Sequence, residues 1–209
     1  MAPTLSDLTR ALNFVIGSQS DRGQFELPRF VAMSDTGRAP DPSRLLLGLP
    51  TGGIVVLRDI NAVRLADLAR DFVPKAHRAG HRVLIAGEPR VALKTNADGV
   101  HLSEPVIWRQ RTSAWARLRP DWLITGSAHS SAALLQAERA GVDAVLFSSV
   151  FPTKSHPGAQ SLGIGRFRSG CLHANIPVYG LGGITRTNLR RLRGTYCYGI
   201  SGIGIFIES

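Results

Sequence analysis

Four stretches of the chain carry groups able to do chemistry. "ITGSAHSS" (124–131) sets His129 just beyond a short apolar run, with Ser127, Ser130 and Ser131 around it. A neutral imidazole titrates near pH ~6.5, so it can take a proton and give it back at neutral pH. His129 is therefore a candidate general acid/base. The same residue would also serve as a plain polar turn residue, and the serines would fix its tautomer or cap a helix. "YGLGGIT" (179–185) and "GISGIGIF" (199–206) are glycine-rich. Glycines let backbone amides approach an anion, and a helix opening behind them adds a positive dipole. Gly182, Gly183, Gly204 and Ile205 are the candidate phosphate holders, against the alternative that these glycines only make tight turns. "SSVFPTKSHPGAQSLG" (148–163) places Thr153, Lys154, Ser155 and His156 in a row on a proline-limited loop. Such donors bind anions. Arg58, closing "VVLR", is a further candidate for a carboxylate or phosphate.

These groups need a frame, and the chain supplies a repeating one. From Arg29 onward a short apolar run is followed by a polar or glycine-rich turn and then a helical pattern. The strand candidates are "RFVAM", "GIVVLR", "HRVLIA", "DGVHL", "DWLITGS", "DAVLFSS", "PVYGLG" and "GIGIFI". Helices are expected at 61–77, with Leu65, Leu68, Ala69, Phe72, Val73 and Ala76 as one stripe. Others are expected at 90–97, from Ser130 to Ala140 with Gly141 as stop, and from Thr185. Eight such units fit an α/β protein of a single (βα)8 TIM-barrel type. In such barrels the reactive groups sit at the C-terminal strand ends. His129 then leaves the fifth strand and faces the phosphate site.

Two ends depart from that pattern. The chain stops right after the expected eighth strand, so the barrel is expected to lack its last C-terminal helix. Residues 1–28 are expected to form an N-terminal helical extension, with Leu5, Leu8, Leu12, Val15 and Ile16 at helical spacing, and the barrel to span 29–209. The bare surface is expected to be covered by this extra helix or by a partner chain, as in a homodimer.

Composition bounds the rest. At 44% hydrophobic residues the 209-residue chain can bury a core. No apolar run nears the length of a membrane span, and the N-terminus lacks a signal-peptide layout. The two cysteines, Cys171 and Cys197, make neither a disulfide framework nor a metal cluster. The expected setting is cytoplasmic. The formal net charge of +10 suggests an anionic partner, but the arginines are scattered, which fits solvated helix faces better than nucleic acid.

"GVHLSE", "GSAHSSAALLQAERAGVDAVLFSSVFPTKSHPG", "IPVYGLGGIT" and the closing glycine strand, in that order, resemble the thiamin phosphate synthase/TenI family. "VVLRD" is similar to a family strand that ends in arginine, at Arg58. The resemblance implies a barrel that binds thiazole or pyrimidine phosphates. It implies one of two activities. The synthase condenses a pyrimidine diphosphate with a thiazole phosphate using Mg²⁺. The TenI branch isomerises a thiazole carboxylate phosphate without metal, with the histidine at position 129 as acid/base.

Departures weigh on this choice. The synthase ends its third strand in Asn-Asp, for diphosphate and metal; here Gly87 and Glu88 stand there. A second metal carboxylate is missing after the fourth strand, where Glu104 is the near substitute. The second-strand glutamine is Val56. The expectation is therefore a metal-independent TenI-like enzyme, with Arg58, Ser127, Thr153, Lys154 and His156 binding substrate and no cofactor. The alternatives are a divergent synthase using Glu88, Glu104 and Mg²⁺, or a non-catalytic phosphate sensor or nucleic-acid-binding regulator. His101 in "GVHLS" reads as a buried barrel residue.

Overall fold

The computed structural model describes residues 26–35, 41–109, 119–153, 158 and 160–207. Eight parallel strands close into one barrel in chain order. They are β1 (Phe30–Met33), β2 (Ile54–Leu57), β3 (Arg82–Ala86), β4 (Gly99–Leu102), β5 (Leu123–Ala128), β6 (Ala144–Ser148), β7 (Val178–Leu181) and β8 (Gly199–Gly202). β8 returns to β1 with Ser201 opposite Val31, which closes the ring. Between and after the strands lie α1 (Ser43–Gly48), α2 (Ala62–Arg78), α3 (Pro89–Thr95), α4 (Glu104–Arg109), α5 (Ser131–Ala140), α6 (Gly163–His173) and α7 (Gly204–Ile207). The (βα)8 architecture is the one expected.

The strands read as continuous apolar runs because both faces are covered. Outward residues such as Val55, Leu57, Val83, Ile85 and Phe147 pack in one layer with Leu65, Ala69, Phe72 and Val73 of α2 and with the other helices. Inward residues Val31, Ile54, Val56, Leu84, Leu146 and Tyr179 fill the barrel itself. Helix ends follow their local chemistry. The Asn61 side chain accepts the amides of Val63 and Arg64 at 3.0 Å each, and Ser130 caps α5 through Ala133. Gly141 ends α5 at φ 79°, a left-handed conformation suited to glycine. Two aspartates brace strand starts from the neighbouring loop: Asp98 accepts the Val83 amide and Asp143 that of Ile124, each at 2.7 Å.

Two expected elements shift. "GIGIFI" is not the eighth strand; the strand lies earlier, at Gly199–Gly202, and Gly204–Ile207 is one turn of helix. The barrel therefore does carry a short element after β8. Its Phe206 stands edge-on to Phe30 at 6.4 Å, and its backbone lies so close to Gly48 that a Cβ there would sit 1.9 Å from the Phe206 carbonyl oxygen. No α-helix opens at Thr185. Thr185 and Asn188 form a reciprocal turn, each side chain accepting the other's amide, and only a 3₁₀ turn follows at Leu189–Leu192. The stripe 5–16 lies outside the described residues.

The barrel is graded along its axis. At the floor, Tyr179 and Tyr198 meet at 5.5 Å, and their hydroxyls donate to the carbonyls of Pro28 and Leu27. Gly199 makes room: a Cβ there would lie 2.7 Å from the Tyr179 ring. Toward the mouth the filling turns polar. His101 is buried, with Nδ1 bonded to the Thr125 hydroxyl and Nε2 to the Ser127 hydroxyl, both at 2.8 Å. Burial, helped by the Arg58 charge, pulls its pKa down to about 4. The unfolded chain thus binds one more proton than the folded one between pH ~6.5 and ~4. Stability from this site is complete above that window and is lost as pH falls through it, by on the order of 3 kcal/mol. Urea unfolding across this range is expected to show that slope, and His101→Gln is expected to reduce it; an equal slope in the variant would contradict the assignment.

Candidate active site

The exits of β7 and β8 border a hollow of about 500 Å³. It is lined by Thr153, Gly182, Gly183, Gly204 and Ile205, with Pro152, Thr185, Ser201 and Ile203. Five of the residues expected at an anion site thus meet in one place. Gly182 and Gly183 hold φ of 94° and 67°. A side chain at Gly183 would put its Cβ 2.4 Å from the Pro152 carbonyl oxygen, and one at Gly182 would strike Ser149. Glycine is required here by both conformation and space. The Asn188 side chain fixes the turn, donating to the Gly183 carbonyl at 2.7 Å and accepting the Thr185 amide at 2.9 Å. The amides of Gly183 and Ile184 bond to no acceptor among the described residues. Lys154, Ser155 and His156 lie outside the described residues.

His129 lines a second, more open hollow of about 570 Å³ with Glu104, Pro105, Trp108 and Arg109. Among the described residues it shares no lining residue with the first. Glu104 opens α4, beyond β4, and reaches across to the β5 exit. Its Oε2 accepts the His129 backbone amide at 2.9 Å and faces the ring Nδ1 at 2.8 Å. An ionised carboxylate only accepts hydrogen bonds, so Nδ1 carries the proton. In the neutral ring Nε2 is then the free base. The side chain of His129 is 61% exposed against 25% for Glu104, so the ring is open to a ligand while its anchor is sheltered.

Other expected residues take different places. Ser127 serves His101, not His129, because β4 and β5 pair with Leu102 beside Gly126 and bring the two together inside the barrel. Ser130 caps α5. Arg58 is held by Asp35 at 3.0 Å and by the Ser34 carbonyl at 2.9 Å, and does not line either hollow. Glu88 sits at the start of α3 without capping it. Among the described residues no three His, Cys, Asp or Glu side chains gather as a metal site. Glu104 already gives one carboxylate oxygen to two donors of His129, and Gly87 offers no side chain where the synthase pattern has asparagine. This donor set fits Mg²⁺ with a diphosphate poorly. Trp108 and Arg109 were not foreseen; their signal was placement on the exit beside His129's strand. Asn188 is likewise a positioning residue found only in the fold.

A model of the thiamine monophosphate synthase family, TMP-TENI, matches residues 41–205. The chain belongs to that family. The match takes in both hollows. A relative from Aquifex aeolicus, "Putative thiamine-phosphate synthase 2", is 34% identical over 151 residues, 72% of this chain and 80% of that one. The thiamine-phosphate synthase of Desulfitobacterium hafniense Y51 is 29% identical over 166 residues, 75% and 77% of the two chains. A solved structure of thiamine phosphate pyrophosphorylase from Pyrococcus furiosus aligns with a TM-score of 0.69 at 24% identity, covering 84% of this chain and 85% of that one. That likeness supports the barrel of the family. No helix among the described residues is long and apolar enough to cross a membrane.

Two outcomes follow. Gly183→Ala is expected to abolish phosphate-ester binding, since the turn must move; unchanged calorimetric affinity would contradict the cradle. Glu104→Ala is expected to remove the Nδ1–H preference of His129, read from ring ¹⁵N shifts. Identical shifts in the variant would contradict the pairing.

Proposed function

We propose that the chain is a metal-independent isomerase of the thiamine monophosphate synthase family, acting on a thiazole phosphate. The phosphate rests on the open amides at the β7 exit, with Gly204, Ile205 and Thr153 around it. The thiazole ring extends across the barrel mouth toward His129. Nε2 of His129 takes a proton from one carbon and returns one to another. Glu104 keeps Nδ1–H in place and stabilises the imidazolium that forms between the two transfers. The loop bearing Lys154 and His156 completes substrate binding in this reading, while Arg58 stays held by Asp35 and the Ser34 carbonyl. The observation that carries it is the Glu104–His129 bond. It orients a base and at the same time occupies one oxygen of the carboxylate that a metal would need.

The second reading is a Mg²⁺-dependent thiamine-phosphate synthase joining a pyrimidine diphosphate to a thiazole phosphate. The names of the relatives favour it. Glu88 and the free oxygen of Glu104 are the residues that would hold the ion, and Mg²⁺ would supply charge neutralisation for the departing pyrophosphate.

Thermal shift separates the two, because a ligand that binds only the native state raises the melting temperature. Thiazole phosphate alone is expected to stabilise the chain, with or without Mg²⁺. Stabilisation only by pyrimidine diphosphate together with Mg²⁺ would overturn the isomerase reading in favour of the synthase. His129→Asn is expected to retain that stabilisation and to lose about 10²- to 10⁴-fold in turnover. A variant with wild-type turnover would remove His129 from the mechanism.

A further inference from the structure

Charge is unevenly distributed around this barrel. Residues 144–207 contain seven Lys or Arg and no Asp or Glu. All five Lys/Arg–carboxylate ion pairs among the described residues lie between Asp35 and Asp121: Arg58–Asp35, Arg64–Asp59, Arg70–Asp67, Lys75–Asp71 and Arg119–Asp121. Among its described residues the sector from β6 to β8 has none. Its described arginines, Arg166, Arg168, Arg186, Arg190, Arg191 and Arg193, are all exposed. The carboxylate shown bonding to this sector, Glu138 of α5, is held by Asn175 beyond the end of α6.

These arginines lie on α6 and on the connection between β7 and β8. Arg168 of α6 donates to the Gly194 carbonyl at 3.1 Å and lies 5.5 Å over the Tyr196 ring, which ties the helix to the β7–β8 connection. Arg191 lies 4.9 Å over Phe151, next to Pro152 of the cradle. Arg186 directly follows Thr185, another cradle residue. Stacking on an aromatic ring leaves a guanidinium fully charged. The sector is thus positive without a carboxylate of its own, and Arg186 and Arg191 bring that charge to the edge of the β7–β8 hollow.

We propose that this carboxylate-free sector is an electrostatic funnel that draws phosphorylated small molecules into the β7–β8 hollow and raises their affinity there. It selects the phosphate ester over the corresponding alcohol before any ring contact is made. Oriented charge around a cleft raises the local concentration of a counter-charged ligand by about 10- to 10³-fold, and salt suppresses the effect. The inference rests on the phosphate reading of the hollow.

The test is calorimetric titration with hydroxyethylthiazole phosphate and with unphosphorylated hydroxyethylthiazole. Titrations are run at about 0.01 M and about 0.15 M ionic strength, where the Debye length falls from about 30 to about 8 Å. The wild-type chain is expected to bind the phosphate ester about tenfold more weakly at the higher salt. The triple variant R186E/R190E/R193E is expected to lose about tenfold in affinity at low salt and most of the salt dependence. The control R70E/R78E/K94E on α2 and α3 makes the same change in net charge and is expected to keep wild-type behaviour. If the reversed variant does not fold, the Arg→Gln triple gives the same reading at smaller amplitude. Equal affinity of sector variant and wild type at low salt, or an equal loss in the control, would overturn the funnel while leaving the hollow intact. No binding of the phosphate ester by folded wild-type chain would overturn the phosphate reading, and the funnel with it.

Discussion

A closed ring of eight strands must be filled from within, and what fills it decides where a ligand can sit. Here the filling changes along the axis. Leu27, Tyr179 and Tyr198 close the floor, and the two hydroxyls are satisfied by carbonyls of residues 27 and 28. Aliphatic side chains occupy the middle. At the mouth the filling is polar, with His101, Thr125, Ser127 and Ser201. Closure also sets which exits are neighbours. β4 beside β5 joins Glu104 to His129; β7 beside β8 joins the two glycine runs. The chemistry is therefore a consequence of strand order.

Both the barrel and the glycine turn that lines the β7–β8 hollow were legible in the residues. Strand runs are unmistakable when both faces are buried, and Asn61, Ser130 and Gly141 mark helix ends by type alone. The glycines at 182 and 183 betrayed the cradle because no other residue tolerates that turn. Partners across space were not legible. Ser127 stands two positions before His129 in sequence, yet strand pairing sends it to His101. Arg58 pairs with Asp35 from 23 positions away. "GIGIFI" alternates like a strand, but β8 ends at Gly202, one turn of helix follows, and Phe206 finds its place against Phe30. Thr185 has the type of a helix cap, but Asn188 uses it in a turn.

Glu104 illustrates how one carboxylate can hold two readings. As a sequence position it is a substitute metal ligand. In the fold it is the anchor of a histidine, bonding both its amide and its ring. A carboxylate fixed in this way orients a base, holds its tautomer and balances the charge of its protonated form. Membership of the thiamine monophosphate synthase family leaves both chemistries within reach; the donor set favours proton transfer.

The central claim is that His129 moves a proton on a bound thiazole phosphate without metal. It is tested most directly by incubating the chain with the thiazole carboxylate phosphate in D₂O and a chelator, and following carbon-bound deuterium by NMR. Deuterium entering the isomerised product with wild type, and not with His129→Asn, is the predicted result. No isomerisation or exchange by the wild-type chain, with product formed only when pyrimidine diphosphate and Mg²⁺ are supplied, would contradict it.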